Sequence, residues 1–234
     1  MVVCSSYVSK NRGLDFEFAM SDDKNHKWWR PQFHDQAVAI VKQVLDACTT
    51  WSAKPDGIHL DFEPHNAPEV GNWSTFPNKQ QYMADMLTVI ERIHAVTKRA
   101  CLRLSVAVAP YYGQTKQSYT ITIGGQTKTF RAWLAERADC AILMDYKDSA
   151  KEVLLGAQLW LGSNVKETPS EVVIGVETKP DLDDGDTFWQ EGSLAMEVAL
   201  KMVKSDPSIA DDSRMAGIAI HEYKYWRVMP LYKE

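Results

Sequence analysis

Short apolar or alternating runs recur along the chain, and each is followed by a longer stretch in which apolar residues return every three to four positions. The first kind of run marks strands and the second marks amphipathic helices. Strand-like runs lie at residues 56–63 (DGIHLDFE), 102–109 (LRLSVAVA), 140–146 (CAILMDY), 171–178 (EVVIGVET) and 215–223 (MAGIAIHEY), with a sixth at 13–20 (GLDFEFAM). Between them, residues 32–50 carry Val38, Val41, Val44, Leu45 and Cys48, and residues 79–99 carry Met83, Met86, Leu87, Ile90 and Ile93, both near helical spacing. Residues 149–161 and 191–204 follow the same pattern. Alternation of this kind predicts βαβ units around a parallel sheet. No low-complexity linker interrupts it, which predicts one domain over residues 1–234.

Strand parity then sorts the side chains. In 56–63 the period of two places Ile58, Leu60 and Phe62 on one face, suited to covering helices, and His59, Asp61 and Glu63 on the other. The later strands repeat the arrangement, with small residues at Ser105, Ala107, Gly175, Gly217 and Ala219 leaving interior room. Polar and aromatic groups collect where the strands end: Glu63, then Tyr111 and Tyr112, then Asp145 and Tyr146, then Glu177, then His221, Glu222 and Tyr223. Catalytic groups at the C-terminal ends of strands are the mark of an α/β barrel, so the predicted fold is a TIM-barrel-like parallel (β/α) arrangement. The echo of Leu-Asp-Phe-Glu at 14–17 and 60–63 fits successive strands of one. A complete eight-stranded barrel takes about 250 residues. The five or six strands counted here predict an incomplete barrel, with an N-terminal part missing.

Composition narrows the partners. The 234 residues carry 26 Lys+Arg against 31 Asp+Glu, a formal net charge of −5, and no basic run of the kind that tracks phosphates, which argues against nucleic acid. No apolar stretch approaches the roughly 18 residues a membrane span needs. The opening MVVCSSYVSKNRG lacks the order of a secretory signal, so the chain as written is expected to be cytoplasmic, or secreted if an N-terminal segment is missing. Cys4, Cys48, Cys101 and Cys140 form no C-x-x-C pair and are expected to be buried free thiols. Neither G-x-G-x-x-G nor a phosphate-binding G-x-x-x-x-G-K-[ST] is present, and no cofactor is expected.

Residues Asp56-Gly57-Ile58-His59-Leu60-Asp61-Phe62-Glu63 resemble the D-G-x-D-x-D-x-E strand signature of family-18 chitinase-type glycoside hydrolases, and Leu143-Met144-Asp145-Tyr146 resembles the M-x-Y motif of the same family. The resemblance implies that Glu63 is the general acid that protonates the glycosidic oxygen. Asp61 would orient the sugar's 2-acetamido group, the internal nucleophile, and Tyr146 would hydrogen-bond that group. Residues 61 and 63 share a face about 6.5 to 7 Å apart, so two carboxyls can flank one sugar ring. A neighbouring Asp61 charge favours the protonated form of Glu63 that an acid catalyst needs. His59, Trp73, Tyr111, Tyr112, Asp145, Glu177, His221 and Tyr223 are the expected carbohydrate contacts, the aromatic ones by stacking on sugar faces from the loops around the mouth. Trp133 and Trp160 fall on helical stretches and are expected in the core.

The chain departs from the family at two motif positions. His59 stands where the family has its first interior Asp, and the last strand ends in His221, Glu222 and Tyr223 where chitinases place a Trp, although Trp226 follows closely. Two other readings therefore stand beside the glycoside hydrolase. One is a metal-dependent barrel hydrolase, since His59, Asp61, Glu63, His65 and His221 are imidazoles and carboxylates, although H-x-D-x-E on a strand is no specific ligand code. The other is a non-catalytic, degenerate barrel that binds a glycan or a protein partner. The sequence does not choose the sugar, the linkage or the oligomeric state.

Overall fold

The structure is a computed structural model, and it describes residues 16–21, 27–50 and 55–232. Its contacts gather into two compact units. One takes in Met1–Ala107 with Thr115–Asp139, the other Val108–Gln114 with Cys140–Glu234.

In the first unit, β1 (Glu17–Ser21), β2 (Gly57–Asp61) and β3 (Arg103–Val108) run parallel in that order. Phe18 pairs with Ile58 and Ile58 with Leu104, while Ala19 pairs with His59 and His59 with Ser105. Helix α1 (His34–Thr50) connects β1 to β2, and α2 (Lys79–Arg99) connects β2 to β3. The predicted bounds of α2 are those observed, because 21 residues without Gly or Pro carry an unbroken apolar stripe. Met83, Met86, Leu87, Ile90 and Ile93 are fully buried, and the helix packs against α1. The helix ends in a Schellman turn, with Leu102 N–H bonded to Thr97 O (3.0 Å) and Cys101 N–H to Lys98 O (3.2 Å). Cys101 occupies the left-handed position at φ 53°, where glycine is usual.

The structure adds two elements that the periodicity did not single out. A hairpin joins β4 (Thr120–Ile123) to antiparallel β5 (Gln126–Thr129), and the short helix α3 (Phe130–Ala135) follows. The hairpin turns on Gly124 and Gly125, both at positive φ, the pair of conformations a two-residue turn demands. The sequence signal was there in Gly-Gly between alternating TITI and QTKT.

In the second unit β6 (Cys140–Met144), β7 (Glu171–Glu177) and β8 (Met215–His221) are again parallel and in chain order. Helix α4 (Ala150–Ala157) follows β6, α5 (Ser193–Ser205) follows β7, and α6 (Tyr223–Trp226) follows β8. Leu143, Val172, Ile174 and Val176 are fully buried. Gly175 of β7 lies close against β6, and a Cβ there would stand 2.6 Å from Leu143 O.

Among the described residues six parallel strands, each followed by a helix or a helical connection, make the fold α/β and TIM-barrel-like. The strand expected at 13–20 is β1, and its first three residues lie outside the described ones. Cys48 and Cys140 are buried as expected, Cys101 is exposed because the helix-ending turn carries it outward, and Cys4 lies outside the described residues. Among the described residues no helix is long and apolar enough to cross a membrane.

Candidate active site

Strand β2 delivers the first group of polar side chains. Ile58, Leu60 and Phe62 are buried almost completely, whereas His59, Asp61 and Glu63 alternate with them and stay half-buried. The alternation continues one step past the strand, so Phe62 closes the apolar face and Glu63 opens the turn Pro64–Asn66. The Glu63 carboxylate lies 4.0 Å from His65 Nε2. Asp61 Oδ1 is buried and accepts no hydrogen bond.

Below Asp61, His59 Nδ1 is 2.8 Å from the Ser105 hydroxyl on β3, and that hydroxyl donates to Glu17 of β1 at 2.5 Å. Arg103 Nε stands 3.7 Å from the same Glu17 carboxylate. Burial lowers the pKa of His59, and the nearby Asp61 charge opposes the shift. Glu17 escaped the sequence reading, and Ser105 entered it only as a small interior residue. A polar Glu on the interior parity of an apolar strand was the signal available, and Gly57 was its complement: a Cβ there would come within 2.8 Å of Glu17 Oε1.

The second unit carries the remaining candidates. Asp145 follows β6 and is 4% exposed, with Oδ2 accepting no hydrogen bond. Burial pushes its pKa up to about 7, Lys147 works against that shift and Glu152 adds to it. Gly156 of α4 packs directly on the Asp145 carboxylate, so close that no Cβ fits between them. Tyr146 stacks on His221 with ring centroids 5.9 Å apart and planes 20° from parallel. His221 is 57% exposed in its side chain and is held by Glu177, whose Oε2 is 2.7 Å from Nδ1. The other Glu177 oxygen accepts from the backbone N–H groups of Thr178 (2.8 Å) and Lys179 (2.9 Å).

Four of the expected sugar contacts are buried, Asp145 among them. Glu177 is buried and spends its oxygens on the loop after β7 and on His221, which makes it the anchor of His221. Trp73 is 8% exposed, with Phe76 stacked on it (centroids 6.0 Å) and His65 in a T-shaped contact (6.2 Å). Tyr112 is 1% exposed and meets Tyr111 edge to face at 5.3 Å. Tyr111 is half-buried and Tyr223 well exposed. Trp73 sits in a turn and Tyr112 in a short helical turn, and in both the large apolar ring gains more by burial than by exposure. Trp133 and Trp160 are buried, and each indole N–H bonds a backbone carbonyl, of Ile121 and Pro110 respectively (both 2.8 Å).

A metal would need converging ligand atoms. Among the described residues the group that offers three within 4.8 Å is Asp148, Asp184 and Glu191, and none of His59, Asp61, Glu63, His65 or His221 belongs to it.

The TIM-barrel-like fold is shared with solved structures of a chitinase, a spore cortex-lytic enzyme and a putative glycosylase. A family-18 chitinase from Pseudoalteromonas aurantia superposes on 93% of the chain with a TM-score of 0.57 at 10% identity. The Bacillus megaterium spore cortex-lytic enzyme SleL covers 98% with a TM-score of 0.54 at 12% identity, and the putative sporulation-specific glycosylase ydhD of Bacillus subtilis covers 83% at 0.50 and 12%. The chain spans 73%, 62% and 64% of the lengths of those three chains, respectively. No known family model matches the sequence, and no curated protein matches it. Identities this low establish the shared fold and leave the chemistry to the residues themselves.

Proposed function

We propose that this chain is a glycoside hydrolase-like protein that acts on a carbohydrate with Glu63 as general acid. The carrying observation is the placement of Asp61 and Glu63 on the polar face of β2, with Ile58, Leu60 and Phe62 buried on the other. Two carboxyls at that spacing suit a substrate-assisted cleavage. Glu63 gives its proton to the glycosidic oxygen, the sugar's own acetamido oxygen attacks the anomeric carbon, and Asp61 stabilises the charge that develops on the acetamido nitrogen. Tyr146, by its motif position at the exit of β6, takes the role of hydrogen-bonding that acetamido group. His221, exposed and held by Glu177, and Tyr111 and Tyr223 are the further carbohydrate contacts on this reading.

The experiment is turnover on soluble N-acetylhexosamine and plain hexose oligosaccharides, each with and without chelator. Glu63→Gln keeps shape and most hydrogen bonding but loses the transferable proton, so kcat is expected to fall by roughly 10²- to 10⁴-fold with substrate binding retained. Parental turnover in Glu63→Gln on a substrate the parent cleaves refutes the acid assignment. One observation favours a second reading, a barrel that binds glycan without cleaving it: His59 replaces the acidic residue the motif carries beneath Asp61. Binding without turnover across the panel would establish that reading instead.

A further inference from the structure

Helix α5 of the second unit carries two apolar faces, and the fold uses one of them. Met196, Ala199, Leu200 and Val203 recur at helical spacing and are buried, so they form the face that packs inward. Leu194, Val198 and Met202 stand on the other side of the helix, each between 42% and 59% exposed. Residues four apart lie one above the next, so these three make a continuous ridge, the element that helices interdigitate when they pack.

The C-terminal segment extends the ridge. Ser193 N–H bonds Pro230 O (2.7 Å) and Leu194 N–H bonds Leu231 O (3.2 Å), which brings the well-exposed Leu231 and Tyr232 to the Leu194 end. Gly192, at φ 84°, permits that approach, since a Cβ there would meet both carbonyl oxygens at 2.9 Å. These five side chains together expose on the order of 500 Å², as much as the largest apolar patch of an ordinary soluble monomer.

Charge says what fits against the ridge. Glu197 and Lys201 lie on one flank of it, one turn apart, in a shallow groove that they line with Leu200, Lys204 and Ser205. The other flank, at Ala195, carries no charge. A two-fold axis beside Val198 that sets two copies of the helix antiparallel keeps each charged flank against the charged flank of its partner. Glu197 then meets the partner's Lys201, twice by symmetry, and Leu194 meets the partner's Met202 at each end. A parallel pairing would instead set each charged flank against an uncharged one. Two copies covering the patch twice over bury on the order of 1,000 Å², the lower bound of a specific interface.

We propose that the outer face of α5 is the interface of a two-fold dimer of this chain, with the two helices antiparallel and centred on Val198.

The test is analytical ultracentrifugation from about 1 to 200 µM, where an interface of this size should give a reversible monomer–dimer equilibrium. Val198→Glu sets two carboxylates together at the axis and should raise Kd by about a hundredfold or more. Glu197→Lys alone and Lys201→Glu alone each replace attraction by repulsion and should weaken the dimer by roughly tenfold. An equimolar mixture of those two variants should dimerise as the parent does, because the mixed pair restores both contacts between opposite charges. Mixing cannot restore an ion pair within one helix, so the rescue reports a contact between chains. All three positions are exposed, so the circular dichroism and melting of each variant should match the parent. A parent that stays monomeric over this range overturns the proposal. So does a dimer that Val198→Glu leaves intact, or a mixture that shows no rescue.

Discussion

Asp145 offers a direct measure of what burial does to a carboxyl in this fold. It is 4% exposed, Gly156 presses on it, and its pKa is pushed from 3.8 up to about 7. A raised carboxyl pKa means the folded chain holds that proton more tightly than the unfolded chain. Its contribution to stability is therefore fully present below the unfolded pKa and is lost as pH rises through about 7. A shift of about three units at about 1.4 kcal/mol per unit is about 4 kcal/mol, of which about 2.5 kcal/mol is lost between pH 5 and 8. Asp145→Asn keeps the shape and cannot ionise. The stability of the variant relative to the parent should therefore rise by about 2.5 kcal/mol from pH 5 to pH 8, and the difference between them should be smallest in acid. Chemical denaturation of both chains at several pH values, with amide exchange in β6 and β7 as the local readout, gives the number. Parallel stability curves over that range would show that Asp145 ionises in the folded state as easily as in water, and the burial argument would fail.

Arg214 bonds Asp212 through two nitrogens (2.8 and 2.5 Å), the Thr168 hydroxyl (2.8 Å) and Gly162 O (3.2 Å), and holds the Asp212 carboxyl well below the usual range. Arg214→Leu should cost about 2–3 kcal/mol in denaturant melts, because the half-buried partners are left unpaired. Gly113→Ala would place a Cβ 2.6 Å from Trp160 Nε1 and 2.8 Å from Leu159 O. A loss of about 1–3 kcal/mol and a change in Trp160 fluorescence are expected, and unchanged stability would show that the turn has slack. Cys101→Gly relieves a left-handed residue at the end of α2 and should raise stability by about 0.5–1 kcal/mol in the same melts.

The strand and helix pattern was legible in the chain because hydrophobic period is a local property. The alternation in 56–63 specified which side chains of β2 are buried, and the unbroken stripe in 79–99 specified α2 to its ends. The resemblance of DGIHLDFE and LMDY to a family-18 motif pointed to the fold that the structural neighbours share, despite identities of 10–12%. Period is silent about what lies across a strand gap. The contact of His59 with Ser105, 46 residues on, exists because parallel register pairs the two, and Ser105 meets Glu17, 88 residues back, because Glu17 pairs with Gly57 and its side chain reaches past that glycine. The loop aromatics show the same limit. Trp73 and Tyr112 look like sugar platforms from their positions after strands, but the turns that carry them fold inward and bury the rings. Glu177 has a residue type that suits a sugar contact, yet two backbone N–H groups and His221 converge on it, and that convergence is a product of where β7 and β8 end together. Local chemistry thus determined which residues could act, and the packing of strands far apart in the chain decided which of them are held, which are buried and which are left with a bond to offer.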